Sequence, residues 1–234
     1  MSSNTPEKLI VTKELRKTYA EDGVPVDAVR GIDLTISKGE FLAIVGPSGS
    51  GKTTFLNLIS GLDYPTSGEV WLAGQRLSSM SGRELSDFRR DKIGFIFQAY
   101  NLIPVLTVEE NVEYIMLLQG LDKQDRHRRV TKILDEVGLE GFADRFPPKL
   151  SGGQQQRVAV ARAMVSNPAM ILADEPTANL DSVTGLGLLD MMRKLNEKSG
   201  MTFVFSTHDQ KIMERARRLV TLRDGEVYSD EIRG

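Results

Sequence analysis

The sequence predicts an α/β fold: an α/β core, an antiparallel β segment at its start and a helical insertion in its middle. Three observations carry this. The apolar run Phe41–Val45 meets a glycine-rich turn and then a stretch with helical spacing. The residues before it alternate apolar and polar, the two-residue period of half-exposed strands. After Gln98 the texture becomes helical, and near residue 167 it returns to apolar strands alternating with helices.

Taken in order, Leu9–Tyr19 reads as a strand and Glu21–Pro25 as a turn. Ile32, Leu34 and Ile36 alternate with Asp33, Thr35 and Ser37, so this segment is a strand with one face inward. Ser37–Glu40 turns the chain into the buried strand Phe41–Val45. A helix is expected over Thr53–Ser60, with Phe55, Leu56 and Ile59 on one face. Strands follow at Glu69–Leu72 and Ile93–Phe97, with a short helix, Ser81–Arg90, between them. Thr107–Glu110 is a capping box, and Val108, Val112, Ile115 and Met116 continue at helical spacing to Gly120. A second helix buries Val130, Ile133, Leu134 and Val137 and is expected to solvate Arg126, His127, Arg128 and Arg129. A third starts at Leu150–Gln154 and runs to Asn167, before Pro168. Ala169–Glu175 is an apolar strand ending in two carboxylates. A helix with Leu188, Leu189, Met192 and Leu195 inward, the strand Thr202–Ser206, a helix near Ile212–Ala216 and a hairpin over 219–228 complete the chain. Arg215, Arg217 and Arg218 are expected to be solvated.

The 234 residues suffice for one domain with a built-in subdomain: 1–97 and 167–234 as core, 98–166 as helical insertion. The formal net charge of −2 gives no field that favours nucleic acid. There are no cysteines and 2 histidines, which excludes thiol catalysis, cysteine zinc sites and multi-histidine metal sites. No apolar run is long enough to span a membrane, and Met1–Pro6 lacks a signal-peptide core. A cytoplasmic location, with peripheral membrane attachment open, is expected.

The chemistry is concentrated at strand ends. Gly46-Pro47-Ser48-Gly49-Ser50-Gly51-Lys52-Thr53, followed by Thr54, lies between a strand and a helix, the setting of a phosphate-binding loop. Glycines let the backbone approach phosphate closely, and amides at a positive helix start bind its oxygens. Lys52 can reach the outer phosphates and Thr53 can ligate their magnesium. Asp174 and Glu175 end an apolar strand, as a metal ligand and a general base would. On local evidence Gln98 reads as an ordinary polar strand terminus, and His208, although at a strand end that suits a γ-phosphate contact, as a structural histidine. Tyr19 could stack on a purine or simply fill a strand end. Ser151 with Gln154 makes a capping box. Its two glycines, Gly152 and Gly153, each cost about 1 kcal/mol relative to alanine in a helix, which points to an anion near that helix start.

In order, Gly46–Thr53, Gln98, Leu150–Gln154, Met170–Glu175, Ala178–Asp181 and His208 resemble the Walker A, Q-loop, signature, Walker B, D-loop and H-loop of an ABC-transporter ATPase. The resemblance covers nearly the whole chain and implies a P-loop NTPase (RecA-like) core, ATP and Mg²⁺. It implies that Tyr19 stacks on adenine, that the loop with Lys52 and Thr54 holds phosphate, and that Thr53, Gln98 and Asp174 attend the metal. Glu175 would activate water and His208 would hold the γ-phosphate. Ser151, Gly152, Gly153, Gln154 and Asp181 would act in trans, in a head-to-tail homodimer formed on ATP binding. Integral membrane permease subunits would dock near the helical insertion, placing the chain on the cytoplasmic face of the inner membrane. Ser60–Gly68 and Gly94–Val112 look most like the lipoprotein-release, macrolide-export and cell-division type, although Ala178 departs from the glycine common there. Soluble ABC ATPases of DNA repair or translation are the alternative, but no long coiled-coil insertion or second cassette is present. For a P-loop kinase, Leu150–Gln154 would have no role.

Overall fold

The computed structural model describes residues 7–21 and 24–233. Met1–Pro6, and Asp22-Gly23 of the expected turn, lie outside them. The chain opens with β1 (Lys8–Glu21), β2 (Val24–Ser37) and β3 (Phe41–Val45), then the glycine-rich turn and α1 (Lys52–Ile59). β4 (Ser67–Leu72), β5 (Gln75–Arg76), α2 (Gly82–Lys92) and β6 (Ile93–Ile96) follow. The insertion contributes α3 (Val108–Leu118), α4 (Lys123–Glu136) and α5 (Gly152–Met164). β7 (Met170–Asp174), α6 (Ser182–Ser199), β8 (Thr202–Ser206), α7 (Gln210–Arg215), β9 (Arg218–Arg223) and β10 (Glu226–Ile232) complete it.

Two sheets result. The smaller is antiparallel, in the order β2-β1-β4-β5, as the alternating pattern of the opening segment requires. The larger runs β10-β9-β3-β8-β7-β6 and is parallel except for β10. Its central strands are apolar on both faces because both faces are covered. Phe41, Ala43 and Val45 point into one core, with α3, α5 and α6, while Leu42 and Ile44 point into the other, with α1 and the antiparallel sheet. Ile171 and Ala173 against Met170 and Leu172 repeat the division on β7. Glycine fixes one close contact. A Cβ on Gly94 in β6 would lie 2.2 Å from the Ala163 carbonyl, so α5 packs directly on the strand backbone.

Local chemistry sets the helix boundaries. The capping box Thr107–Glu110 starts α3, and Ser81–Glu84 forms another at α2. α5 stops at Met164, short of the expected Asn167. Pro168 disfavours helical geometry at Asn167, which turns left-handed (φ 54°), and its amide closes a turn onto the Met164 carbonyl at 2.9 Å.

The arginines expected in solvent are mostly engaged. Arg126 bridges α4 to Glu113 of α3 at 2.9 Å, and His127 Nδ1 lies 2.6 Å from Glu109. Arg128 pairs with Asp125, Arg215 with Asp190 and Arg217 with Glu197. Arg218, like Arg126, departs from expectation. Its side chain is 15% exposed and donates to Asp230, Glu40 and the Thr35 carbonyl, tying β9 to both sheets. The hydrogen bond to Asp230, then that to Glu40, holds the guanidinium above its ordinary value against the opposite pull of burial. A helix or strand period marks which side faces outward, but not which carboxylates wait there. Arg218→Ala removes the cation from both Asp230 and Glu40, leaving Glu40 the Ser37 amide, and should cost about 2–3 kcal/mol. The expected fall in Tm is about 4–12 °C. A thermal scan within about 1 °C of the parent would show that these pairs contribute nothing.

Candidate active site

Parallel strands bring their C-terminal ends to one edge, where α/β proteins bind ligands. Here that edge gathers the turn after β3, Gln98 beyond β6, Asp174 and Glu175 at β7, and Ser206 and His208 at β8. A cleft of about 770 Å³ opens there. Its lining includes Tyr19, Gly46 to Thr54, Gln98, Asp174, Glu175 and His208, which sequence reasoning had singled out one by one. It also includes Val26, Asp27, Ala28 and Ser206, which sequence reasoning missed. Tyr19 pairs with Val26 across the β1–β2 ladder, so the register alone carries that neighbourhood.

The loop is shaped for an anion. Gly51 takes a left-handed turn (φ 95°) as the N-cap of α1, and no side chain caps that helix. α2, α3, α4, α5 and α6 all start on a side-chain cap. The first-turn amides of α1 are thus free to receive anionic oxygens. Ser50 is buried with its hydroxyl unpaired. Lys52 Nζ folds over the turn, donating to the Gly46 and Pro47 carbonyls at 2.7 and 2.9 Å.

On the far wall, the Tyr19 hydroxyl donates to Asp63 at 2.7 Å, and Lys17 Nζ pairs with the same carboxylate, 4.8 Å from the ring centroid. Burial, then the bond to Asp63, raises the phenol's pKa. Burial pulls Asp63 upward too, but bonds from Lys17 and Tyr19 outweigh it and hold that carboxyl low. The ring is therefore fixed as a wall of the cleft.

The acid pair divides by environment. Asp174 is raised by burial, with Ser206 opposing and the Glu175 charge adding to it. Glu175 lies just past the strand in a left-handed conformation (φ 45°), which is sparsely populated for a residue with a Cβ. Its Oε1 lies 2.5 Å from His208 Nδ1 and accepts the His208 amide at 3.1 Å. Its Oε2 accepts the Thr207 hydroxyl at 2.9 Å. The glutamate and histidine, singled out separately from sequence, are thus partners.

The donor set fits magnesium. Thr53 hydroxyl, Gln98 amide oxygen and the Asp174 carboxylate are hard oxygen ligands facing one cleft. The described residues hold no cluster of three or more His, Cys, Asp or Glu, so phosphate and water oxygens would supply the rest, the usual arrangement for this ion.

Ser151, Gly152, Gly153, Gln154 and Asp181 do not line the cleft. Ser151 and Gln154 close their box on each other at 3.3 and 2.9 Å. Asp181 caps α6 by accepting the Val183 and Thr184 amides, and bonds from Thr184 hold its carboxyl below the ordinary range. The two glycines also lie against side chains of the same chain. A Cβ on Gly152 would lie 2.9 Å from the Tyr100 hydroxyl, and one on Gly153 would lie 2.4 Å from Thr184 Cγ2, both of them side-chain atoms and not backbone. The segment after Gln98 is held in turn by Arg162, which donates to the carbonyls of Tyr100 and Asn101, both left-handed.

Comparison with known proteins agrees with this geometry. A family model described as ABC transporter matches residues 29–178. The lipoprotein-releasing system ATP-binding protein LolD of Legionella pneumophila is 41% identical over 95% of this chain and 98% of its own. The macrolide export ATP-binding/permease protein MacB of Hyphomonas neptunium is 45% identical over 95% of this chain and 34% of its own. An ATP-binding cassette of Methanocaldococcus jannaschii, solved as a dimer in a post-hydrolysis state with ADP and Pi, superposes with a TM-score of 0.87 at 44% identity. That match covers 97% of this chain and 100% of the other. With its phosphate loop, acid pair and strand-end histidine around one cleft, the chain belongs to the ABC transporter family, as an ATP-binding and ATP-hydrolysing cassette.

Proposed function

We propose that this chain powers a membrane permease by closing as a homodimer around two ATP molecules. The observation that carries the reading is the division of its motifs. The cleft collects one half of a nucleotide site, while Ser151–Gln154 and Asp181 face elsewhere. Both Ser151 and Asp181 are exposed, so a second copy could present them to the nucleotide. A related cassette solved as a dimer with ADP and Pi supports this pairing.

In this reading Tyr19 stacks on adenine while the loop amides and Lys52 hold the phosphates. Thr53, Asp174 and Gln98 hold Mg²⁺, which neutralises charge developing on the phosphoryl oxygens. Glu175 takes a proton from the water whose oxygen bonds to the γ-phosphorus, the bond from that phosphorus to the β,γ-bridging oxygen breaks with its electron pair kept by ADP, and His208 contacts the transferring group. The differential contacts made by the γ-phosphate bias the open and closed states of the dimer.

Docking of the permease is supported by the insertion's surface. Ile103, Val105, Tyr114, Leu117 and Leu118 are exposed around the first helix of the insertion, Val105 at 77%. Beside them a groove opens between α3, α5 and the edge strand β6, lined by Phe95, Phe97, Tyr114 and Arg162. Exposed apolar side chains clustered in one stretch of the chain suit a partner site. No helix among the described residues is long and apolar enough to cross a membrane. The chain would therefore sit on the cytoplasmic face of the inner membrane through that partner. Likeness to LolD and MacB favours a partner of the lipoprotein-release or macrolide-export type.

Glu175→Gln should keep ATP binding and lower turnover by about 10²–10⁴-fold. It should also accumulate an ATP-bound dimer in gel filtration. Parent-level turnover would remove Glu175 from the mechanism. Lys52→Ala should instead abolish saturable ATP binding in an equilibrium titration, and unchanged affinity would contradict its phosphate role.

A further inference from the structure

We propose that Thr207 is a positioning residue for Glu175, fixing the carboxylate from which water is activated. This rests on the reading of Glu175 as the general base. Glu175 lies beyond the last residue of β7 with a left-handed backbone, so the strand ladder alone does not aim its side chain. Its carboxylate is held on both oxygens, Oε1 by the ring and the amide of His208 and Oε2 by the Thr207 hydroxyl. His208 holds Oε1 from a side chain that is 79% exposed. Thr207 holds Oε2 from a fully buried position, at 2.9 Å.

The polarity of the Thr207 contact is determined. The Thr207 Oγ1 accepts the Asp209 amide at 2.9 Å. An amide N–H is a donor only, so the single hydroxyl proton is left for Glu175. The backbone of Thr207 is pinned as well, its amide donating to the Ile44 carbonyl of β3 at 3.1 Å. Asp209 is braced in turn by the Thr177 hydroxyl at 2.9 Å. The chain Thr177–Asp209–Thr207–Glu175 therefore runs from the loop after β7 back to the same carboxylate. When the His208 ring turns to a phosphate, the Thr207 hydroxyl remains as the one side-chain anchor in this set, on Oε2, beside the His208 amide on Oε1.

Removing the hydroxyl at nearly constant shape takes away the bond to Glu175 together with the acceptor of the Asp209 amide, and the Glu175→Gln background separates the two. Thr207→Val should lower kcat by about 10–100-fold, because small misplacement of a catalytic group is costly, while KM for ATP stays within about twofold. Thr207→Ser should restore most of the loss. Thr207→Val should also accumulate the ATP-bound dimer, which a fold defect would not produce. On the Glu175→Gln background the change should cost less than about twofold, since residues acting through one group are non-additive. If Thr207→Val fails to bind ATP, Thr207→Ala against Thr207→Ser gives the same comparison. Parent-level kcat without the hydroxyl, or equal loss in the serine variant, overturns the positioning role alone. Full turnover in Glu175→Gln overturns this role and the reading of Glu175 together.

Discussion

The phosphate loop rests against backbone on both sides, and it fits only because Gly46 and Gly51 lack a Cβ. One placed on Gly46 would lie 2.1 Å from the Leu222 carbonyl, and one on Gly51 would lie 2.3 Å from the Ala28 carbonyl. Both carbonyls are backbone, so neither can swing aside. The turn of the β9–β10 hairpin completes the clamp. Gly225 donates to the Ser50 carbonyl at 3.2 Å, and Arg30 donates to the Gly225 carbonyl at 2.8 Å. The two sheets meet behind the loop through these contacts. With its back fixed, the loop keeps its amides facing the cleft and starts α1 without a side-chain cap.

From that fixed point the reactive groups follow by strand geometry. β3, β8 and β7 are adjacent and parallel, so loop, His208 and acid pair arrive at one edge without any long side chain reaching across. The departures from regular structure also cluster there. Glu175, Tyr100 and Asn101 are left-handed, and each is held by neighbours, Glu175 by Thr207 and His208, and the other two by Arg162. Asn179 donates to the Gln98 carbonyl at 2.9 Å, joining the segments that follow β6 and β7. A shift of the insertion at its surface groove would thus bear on the residues that surround the nucleotide.

The central strands were readable because parallel strands covered on both faces must be apolar throughout, and Phe41–Val45 and Thr202–Ser206 match expectation residue for residue. Phosphate-loop glycines were readable because a tight turn between strand and helix admits little else. Partnerships were not. Nothing in the spacing of Glu175 and His208, or of Arg218 with Glu40 and Asp230, reveals a contact made only when distant strands align. The opening segment shows the same limit, since Val26 reaches the cleft through the β1–β2 register and Ala28 at an irregularity in it. Gly152 and Gly153 show a subtler one. Their cost in a helix was legible, but their closeness to Tyr100 and Thr184 needed coordinates.

In the proposed dimer each chain carries two complementary halves of the site, one in the cleft and one at the start of α5. The most direct test is ATP turnover per chain measured across a dilution series at saturating ATP and magnesium. If the working site is shared between copies, specific activity should rise with protein concentration and level off as the dimer saturates. Specific activity that stays constant down to concentrations where the protein runs as a monomer would contradict the shared site.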